Sequence, residues 1–149
     1  LANGADKVYA VDVGYGQLDW KLRQDKRVVV KEKTNARFLT NQIITDPLDV
    51  IVCDASFISL KKILPSGLKL LKNNGWLAAL IKPQFEVGKG LVGKGGVVRN
   101  TELHEEVKND IKNWVQFEMK MNLLGIVDSP ILGPRGNKEF VIVATKLSN

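Results

Sequence analysis

Four side chains in this 149-residue sequence stand where an apolar run meets polar chain. Asp12 follows Tyr9-Ala10-Val11, Asp54 follows Val50-Ile51-Val52-Cys53, Lys82 follows Trp76 to Ile81, and Glu139 precedes Phe140 to Thr145. Short apolar, β-branched runs without polar alternation read as strands buried on both faces, as in a parallel sheet covered by helices. Open α/β sheets bind ligands outside the carboxyl ends of such strands. A carboxylate delivered there accepts hydrogen bonds, and an acid after a strand is the ribose-binding device of nucleotide folds. A lysine there holds a charge or moves a proton. For Asp54 alone a helix N-cap is an equally good reading, because a helix follows soon after. Lys82 alone reads equally as one more surface lysine.

The elements that must position these groups follow from periodicity. Val8 to Asp12, Val28 to Val30, Asp49 to Cys53 and Trp76 to Ile81 read as strands, and Leu123 to Val127 and Phe140 to Thr145 as the last two. Gln17 to Gln24 reads as a short helix. Leu60, Ile63, Leu64, Leu68 and Leu71 fall at helical spacing, in a segment that begins near Ser59, restarts at Pro65 and ends at Asn73-Asn74-Gly75. Leu103, Val107, Ile111, Trp114 and Val115 mark one face of a helix capped by Asn100 or Thr101. Strands alternating with helices give a parallel α/β sheet. The final two strands have no crossover helix between them and must therefore be antiparallel. Lys82 to Asn100 carries Gly88, Gly90, Gly93, Gly95 and Gly96 without the spacing of a phosphate-binding loop.

Composition bounds the function. The length suggests one domain, and 44% hydrophobic with 26% charged residues is that of a globular chain. A net charge of +6 suits an anionic partner such as RNA but carries no specificity. Cys53 is the single cysteine, which excludes an internal disulfide, and its place in a buried strand suggests inert packing. No apolar run reaches the ~18 residues of a membrane helix, and no signal peptide is visible. The expectation is cytoplasmic. His104 has no second His or Cys nearby, so no metal is expected.

Several stretches are recognisable together: Tyr9 to Leu18, Thr34-Asn35-Ala36-Arg37, Asp54 to Leu60, Ile81-Lys82-Pro83-Gln84-Phe85-Glu86 and Gly136-Asn137-Lys138-Glu139-Phe140. They resemble the TlyA / haemolysin A family along essentially the whole chain. The resemblance implies an FtsJ-like fold, a Rossmann-like methyltransferase sheet, mostly parallel with an antiparallel last strand. It implies S-adenosylmethionine as cofactor, ribose 2′-hydroxyls of ribosomal RNA as acceptors, and ribosomal RNA or ribosomal subunits as partners. The older haemolysin label finds no amphipathic lytic helix or membrane segment here. The reading from a different class is a non-catalytic RNA- or partner-binding domain with this fold.

By motif, the family's catalytic Asp, second Lys and Glu fall on Asp54, Lys82 and Glu139. Its first Lys, its first strand with a Gly-rich turn, and its S4-type RNA-binding module match nothing here. The resemblance therefore implies the C-terminal methyltransferase part of a longer protein, whose Val8 and Asp49 strands would flank a strand that this chain lacks. Those two strands should leave a gap or close onto each other. Asp12 and Val13 would meet the cofactor ribose, with Asn35, Ala36 and Asp54 beside it; Asn35 reads equally as a turn residue. A lysine whose proton is labilised by burial or cationic neighbours can activate a ribose hydroxyl, so Lys82 is expected between Asp54 and Glu139. Lys89, Lys94, Arg99 and Phe85 are the candidates for RNA contact. Phe57 and Phe85 would stack on a base or pack in the core, and the glycine loop is either an RNA-ordered segment or plain surface.

Overall fold

The computed structural model describes residues 1–148. The chain runs β1 (Val8–Val11), α1 (Trp20–Arg23), β2 (Val28–Lys31), β3 (Leu48–Cys53), α2 (Leu60–Leu68), β4 (Leu71–Ile81), α3 (Pro83–Glu86), α4 (Thr101–Asn113), β5 (Met121–Asp128) and β6 (Phe140–Lys146). β1 and β2 form a parallel pair. A second sheet has the order β3-β4-β6-β5, with β3 and β4 parallel and β6 antiparallel to both its neighbours. The last strand thus lies reversed between β4 and β5, as the missing crossover helix requires.

β1 and β3 do not pair. Of the two expected outcomes the chain takes the gap: two sheets, joined at one end where Lys7 and Tyr9 bind Asp46. One face of the larger sheet carries the core. Leu77, Ala79, Ile81, Phe140, Ile142 and Ala144 lie there against Leu60 and Leu64 of α2 and Val107 and Ile111 of α4. The strand period of two sends the alternate side chains to the other face. That face is open: Val50, Val52 and Trp76 are exposed, Val52 at 77%.

Two boundaries differ from the sequence reading. The segment from Ser59 is one helix that runs through Pro65, because Leu60, Leu64 and Leu68 share a buried stripe and that packing outweighs the lost backbone donor. Leu71 belongs to β4, and Asn73-Asn74-Gly75 is a bulge inside that strand rather than a helix end. Three residues of β3, Leu48 to Val50, oppose six of β4, Leu71 to Trp76. Asn74 takes φ 65° there, and a Cβ on Gly75 would lie 2.9 Å from the Asp49 carbonyl oxygen. The helix expected over Gln17 to Gln24 is only α1, started by the Asp19 side chain accepting from Lys21 N–H.

Candidate active site

The carboxyl ends of β3 and β4 are adjacent, since Cys53 aligns with Ala79 in parallel register. The next side chains therefore meet. The Lys82 ammonium lies 2.5 Å from Asp54 Oδ1 and donates to Ser56 Oγ at 3.3 Å. Lys82 is buried, at 8% exposure, although Asp54's side chain is 70% exposed. A buried cation is thus paired with a largely exposed carboxylate.

Glu86 holds this corner together. Its Oε2 accepts from Ser59 Oγ at 2.6 Å and its Oε1 from Leu60 N–H at 2.9 Å, tying the start of α2 to α3. Burial pushes its carboxyl above the usual range, opposed by those two bonds. Asp54 and Lys82 lie on the two segments so joined. Cys53 sits behind them, its thiol pushed up to about 11 by burial and by the Asp54 charge, so it is a thiol and not a nucleophile at neutral pH.

Glu139 departs from expectation. It is buried at 6% exposure, but its carboxylate accepts from Gln84 Nε2 at 2.9 Å, and no ion pair joins it to Lys82 among the described residues. Lys82 therefore pairs with one of its two expected carboxylates. Glu139 lies one residue before β6, next to Ile81's partner Phe140, and side chains on successive residues of an extended chain point apart. Gln84, the second residue of α3, reaches it instead.

The loop before β6 is bound to the glycine loop by Asn137, buried at the centre. Its Oδ1 accepts from Val98 N–H at 3.0 Å, and its Nδ2 donates to the carbonyls of Gly96 at 2.9 Å and Pro134 at 3.1 Å. Arg135 adds a bond to the Gly95 carbonyl. His104 lies buried beneath, with Nε2 2.7 Å from the Val98 carbonyl oxygen. The segment 93–98 is thus pinned to the Glu139 loop. Lys89 and Arg99 are exposed on either side of it, and Lys94 is exposed within it.

Phe57 and Phe85 stack on each other, with ring centroids 4.9 Å apart. Phe57 is 88% exposed at φ 65°, an arrangement a core phenylalanine never needs. At the smaller sheet, Asp12 Oδ1 accepts from Gly14 N–H, and Asn35 Oδ1 accepts from Arg37 N–H, so both cap turns as their local chemistry suggested. Thr34 N–H reaches the Asp12 carbonyl, which sets the two turns side by side with Val13 and Ala36. Glu32 joins them, accepting from Gly16 N–H and pairing with Arg23; the Gly16 bond, aided by Arg23, holds its carboxyl below the usual range.

Sequence reasoning missed Ser56, Gln84, Glu86's tether, Asn137 and Glu32 as site-forming groups. Ser56, Gln84, Glu86 and Asn137 were inside recognised motifs, which was the available signal. Among the described residues no cluster of three or more His, Cys, Asp or Glu is arranged to hold a metal, and no helix is long and apolar enough to cross a membrane.

The profile of the FtsJ-like methyltransferase family matches residues 1–146. The chain is 46% identical over 142 residues to the 16S/23S rRNA (cytidine-2′-O)-methyltransferase TlyA of Mycobacterium tuberculosis, covering 95% of this chain and 53% of that protein. It is 42% identical to Hemolysin A of Brachyspira hyodysenteriae, covering 95% and 59% respectively. A solved structure of a Streptococcus thermophilus protein that carries a hemolysin name superposes with a TM-score of 0.92 at 40% identity, over 99% of this chain and 54% of that one. The chain spans little more than half the length of the curated relatives it matches.

Proposed function

Since this chain belongs to the FtsJ-like methyltransferase family, we propose that in its full-length protein it carries a methyl group from S-adenosylmethionine to ribose 2′-hydroxyls of ribosomal RNA. The observation that carries the reading is the buried Lys82 held against Asp54 at the carboxyl ends of adjacent parallel strands. The residues at the end of β1 suit the cofactor. Asp12 is exposed, one of its oxygens is occupied by Gly14 N–H, and the carboxylate retains lone pairs for a ribose diol. Val13, Asn35 and Ala36 stand beside it to border the nucleoside, and Asp54, at the end of β3, is assigned to the same cofactor. The bound cofactor would supply an electrophilic methyl on a sulfonium sulfur.

The chain's own residues do the rest. Lys82 as the neutral amine takes the proton of the acceptor hydroxyl, or as the ammonium stabilises the alkoxide that forms. Asp54 orients the ammonium, and Glu139 binds the ribose or the attacking group from the next strand. Positioning the acceptor in line supplies much of the rate in such displacements. The exposed Phe57, backed by Phe85, offers a stacking face for an RNA base, and Lys89, Lys94 and Arg99 offer phosphate contacts. A ribosomal RNA substrate places the protein in the cytoplasm. The open edges of β1 and β3 and the open face around Val50, Val52 and Trp76 are where a preceding strand and helix of the full-length protein would pack, as bare β edges are liabilities unless covered.

The test is calorimetric titration of the full-length protein with S-adenosylmethionine, followed by methyl transfer to ribosomal subunits. Saturable binding and 2′-O-methylated RNA are expected. Binding of RNA without cofactor uptake would favour a non-catalytic RNA-binding domain instead. Within that assay, Asp12→Ala is expected to weaken cofactor affinity ten- to a hundredfold, from the loss of a charged acceptor worth about 1.5–3 kcal/mol. An unchanged dissociation constant would remove Asp12 from the cofactor site.

A further inference from the structure

Gly133 is a glycine for a reason that backbone conformation does not supply. Its φ of −77° and ψ of −171° are open to any residue. Its N–H donates to the Asn137 carbonyl at 2.7 Å and its carbonyl accepts from Gly136, so its place is fixed from both sides. A Cβ built there would stand 2.6 Å from Cδ of Glu139 and closer still to Oε2. The three atoms nearest that position all belong to the Glu139 carboxylate. The missing side chain is therefore the volume that the carboxylate fills.

On its other side the same oxygen, Oε2, accepts from Gln84 Nε2. Gln84 is itself buried, and its Oε1 has no partner among the described residues. A buried amide with one end unpaired is costly, so its retained bond to Glu139 is not incidental packing. We propose that Gly133 and Gln84 form the seat of the Glu139 carboxylate and are positioning residues for methyl transfer. Gly133 acts by leaving room and Gln84 by donating one oriented hydrogen bond. This rests on the reading that Glu139 takes part in the reaction.

The backbone at 133 accepts alanine, and the obstructing atoms are the end of a side chain. Gly133→Ala should thus keep the fold and swing the carboxylate out of its seat. Misplacing a reacting group by about 1 Å can cost on the order of a hundredfold.

The experiment uses the full-length protein, single-turnover methyl transfer to ribosomal subunits, cofactor titration and thermal melting. Gly133→Ala is expected to lower the transfer rate about tenfold or more, with cofactor affinity and melting temperature unchanged. Gly133→Ala combined with Glu139→Asp, one methylene shorter, should recover several-fold over Gly133→Ala alone, because the shorter acid fits beside the new methyl. Gln84→Met, similar in volume and lacking the donor, should lower the rate in the same selective way and covers the case in which the alanine variant fails to fold. Wild-type rates in Gly133→Ala or in Gln84→Met, a double variant no faster than Gly133→Ala alone, or parallel losses of rate, affinity and melting temperature would overturn the seat. Glu139→Gln separates the two levels. A wild-type rate there removes Glu139 from the reaction, whereas an inactive Glu139→Gln beside a fully active Gly133→Ala defeats only the seat.

Discussion

Lys82→Met in the full-length protein should abolish measurable methyl transfer, a fall on the order of a hundredfold or more, while folding and cofactor binding persist. The size of the effect follows from proton transfer: a ribose hydroxyl attacks poorly while it keeps its proton, and removing the group that takes that proton or stabilises the alkoxide removes the step. Persistence of the fold follows from the surroundings. Breaking a buried ion pair usually strands a desolvated charge. Here the survivor would be Asp54, whose side chain is 70% exposed and is rehydrated at once. Methionine retains most of the apolar stem that Lys82 buries. The measurement is initial rate on ribosomal subunits together with cofactor titration and a melting curve. A Met variant that methylates at the normal rate would show that the Asp54–Lys82 pair is structural. One that loses its fold would leave Lys82→Arg, which keeps the charge but not the compact donor, as the discriminating substitution: a folded Arg variant at the normal rate would likewise make the pair structural, and a folded inactive one would support the assignment.

Asn137→Ala should be strongly destabilising although it touches no reacting group. Its amide satisfies the buried Val98 N–H and the carbonyls of Gly96 and Pro134. Truncation leaves the buried Val98 N–H unpaired and takes a donor from the part-buried Gly96 carbonyl, whereas the Pro134 carbonyl keeps the Asn137 N–H. Each buried group so stranded costs about 1–3 kcal/mol, so a combined loss of roughly 3 kcal/mol is expected, or a melting temperature lower by about 6–12 °C. The consequence reaches function, because Asn137 joins the glycine loop to the loop that carries Glu139 and Gly133. Hydrogen exchange should show Val98 N–H losing protection first, with Gly133 N–H following. A melting temperature within 2 °C of the parent would mean that the two loops hold together without the amide.

The sequence by itself determined the groups that strand ends deliver. Asp54 and Lys82 stand after apolar runs, and two parallel neighbours in register must bring such residues together, so their contact was readable from pattern and strand spacing alone. The reversal of the last strand was equally local in origin: no crossover helix separates β5 from β6. The turn cap of Asn35 was readable too, since a short polar side chain bonds the backbone two residues on.

What the tertiary structure decided are the choices between partners of similar chemistry. Glu139 had Lys82 as its expected partner and took Gln84, 55 positions away, because the direction in which β6 leaves its loop sends the carboxylate toward α3. Pro65 would end an isolated helix, but the Leu60–Leu64–Leu68 stripe has a sheet to pack against, and burial outweighs one lost bond. Gly133 looks like any loop glycine until the carboxylate beside it is placed. Phe57 is apolar by composition and exposed by position, its left-handed backbone turning the ring outward over Phe85. In each case periodicity reports only neighbours within a few residues, while the deciding contact is made across the chain by packing that excludes every alternative but one.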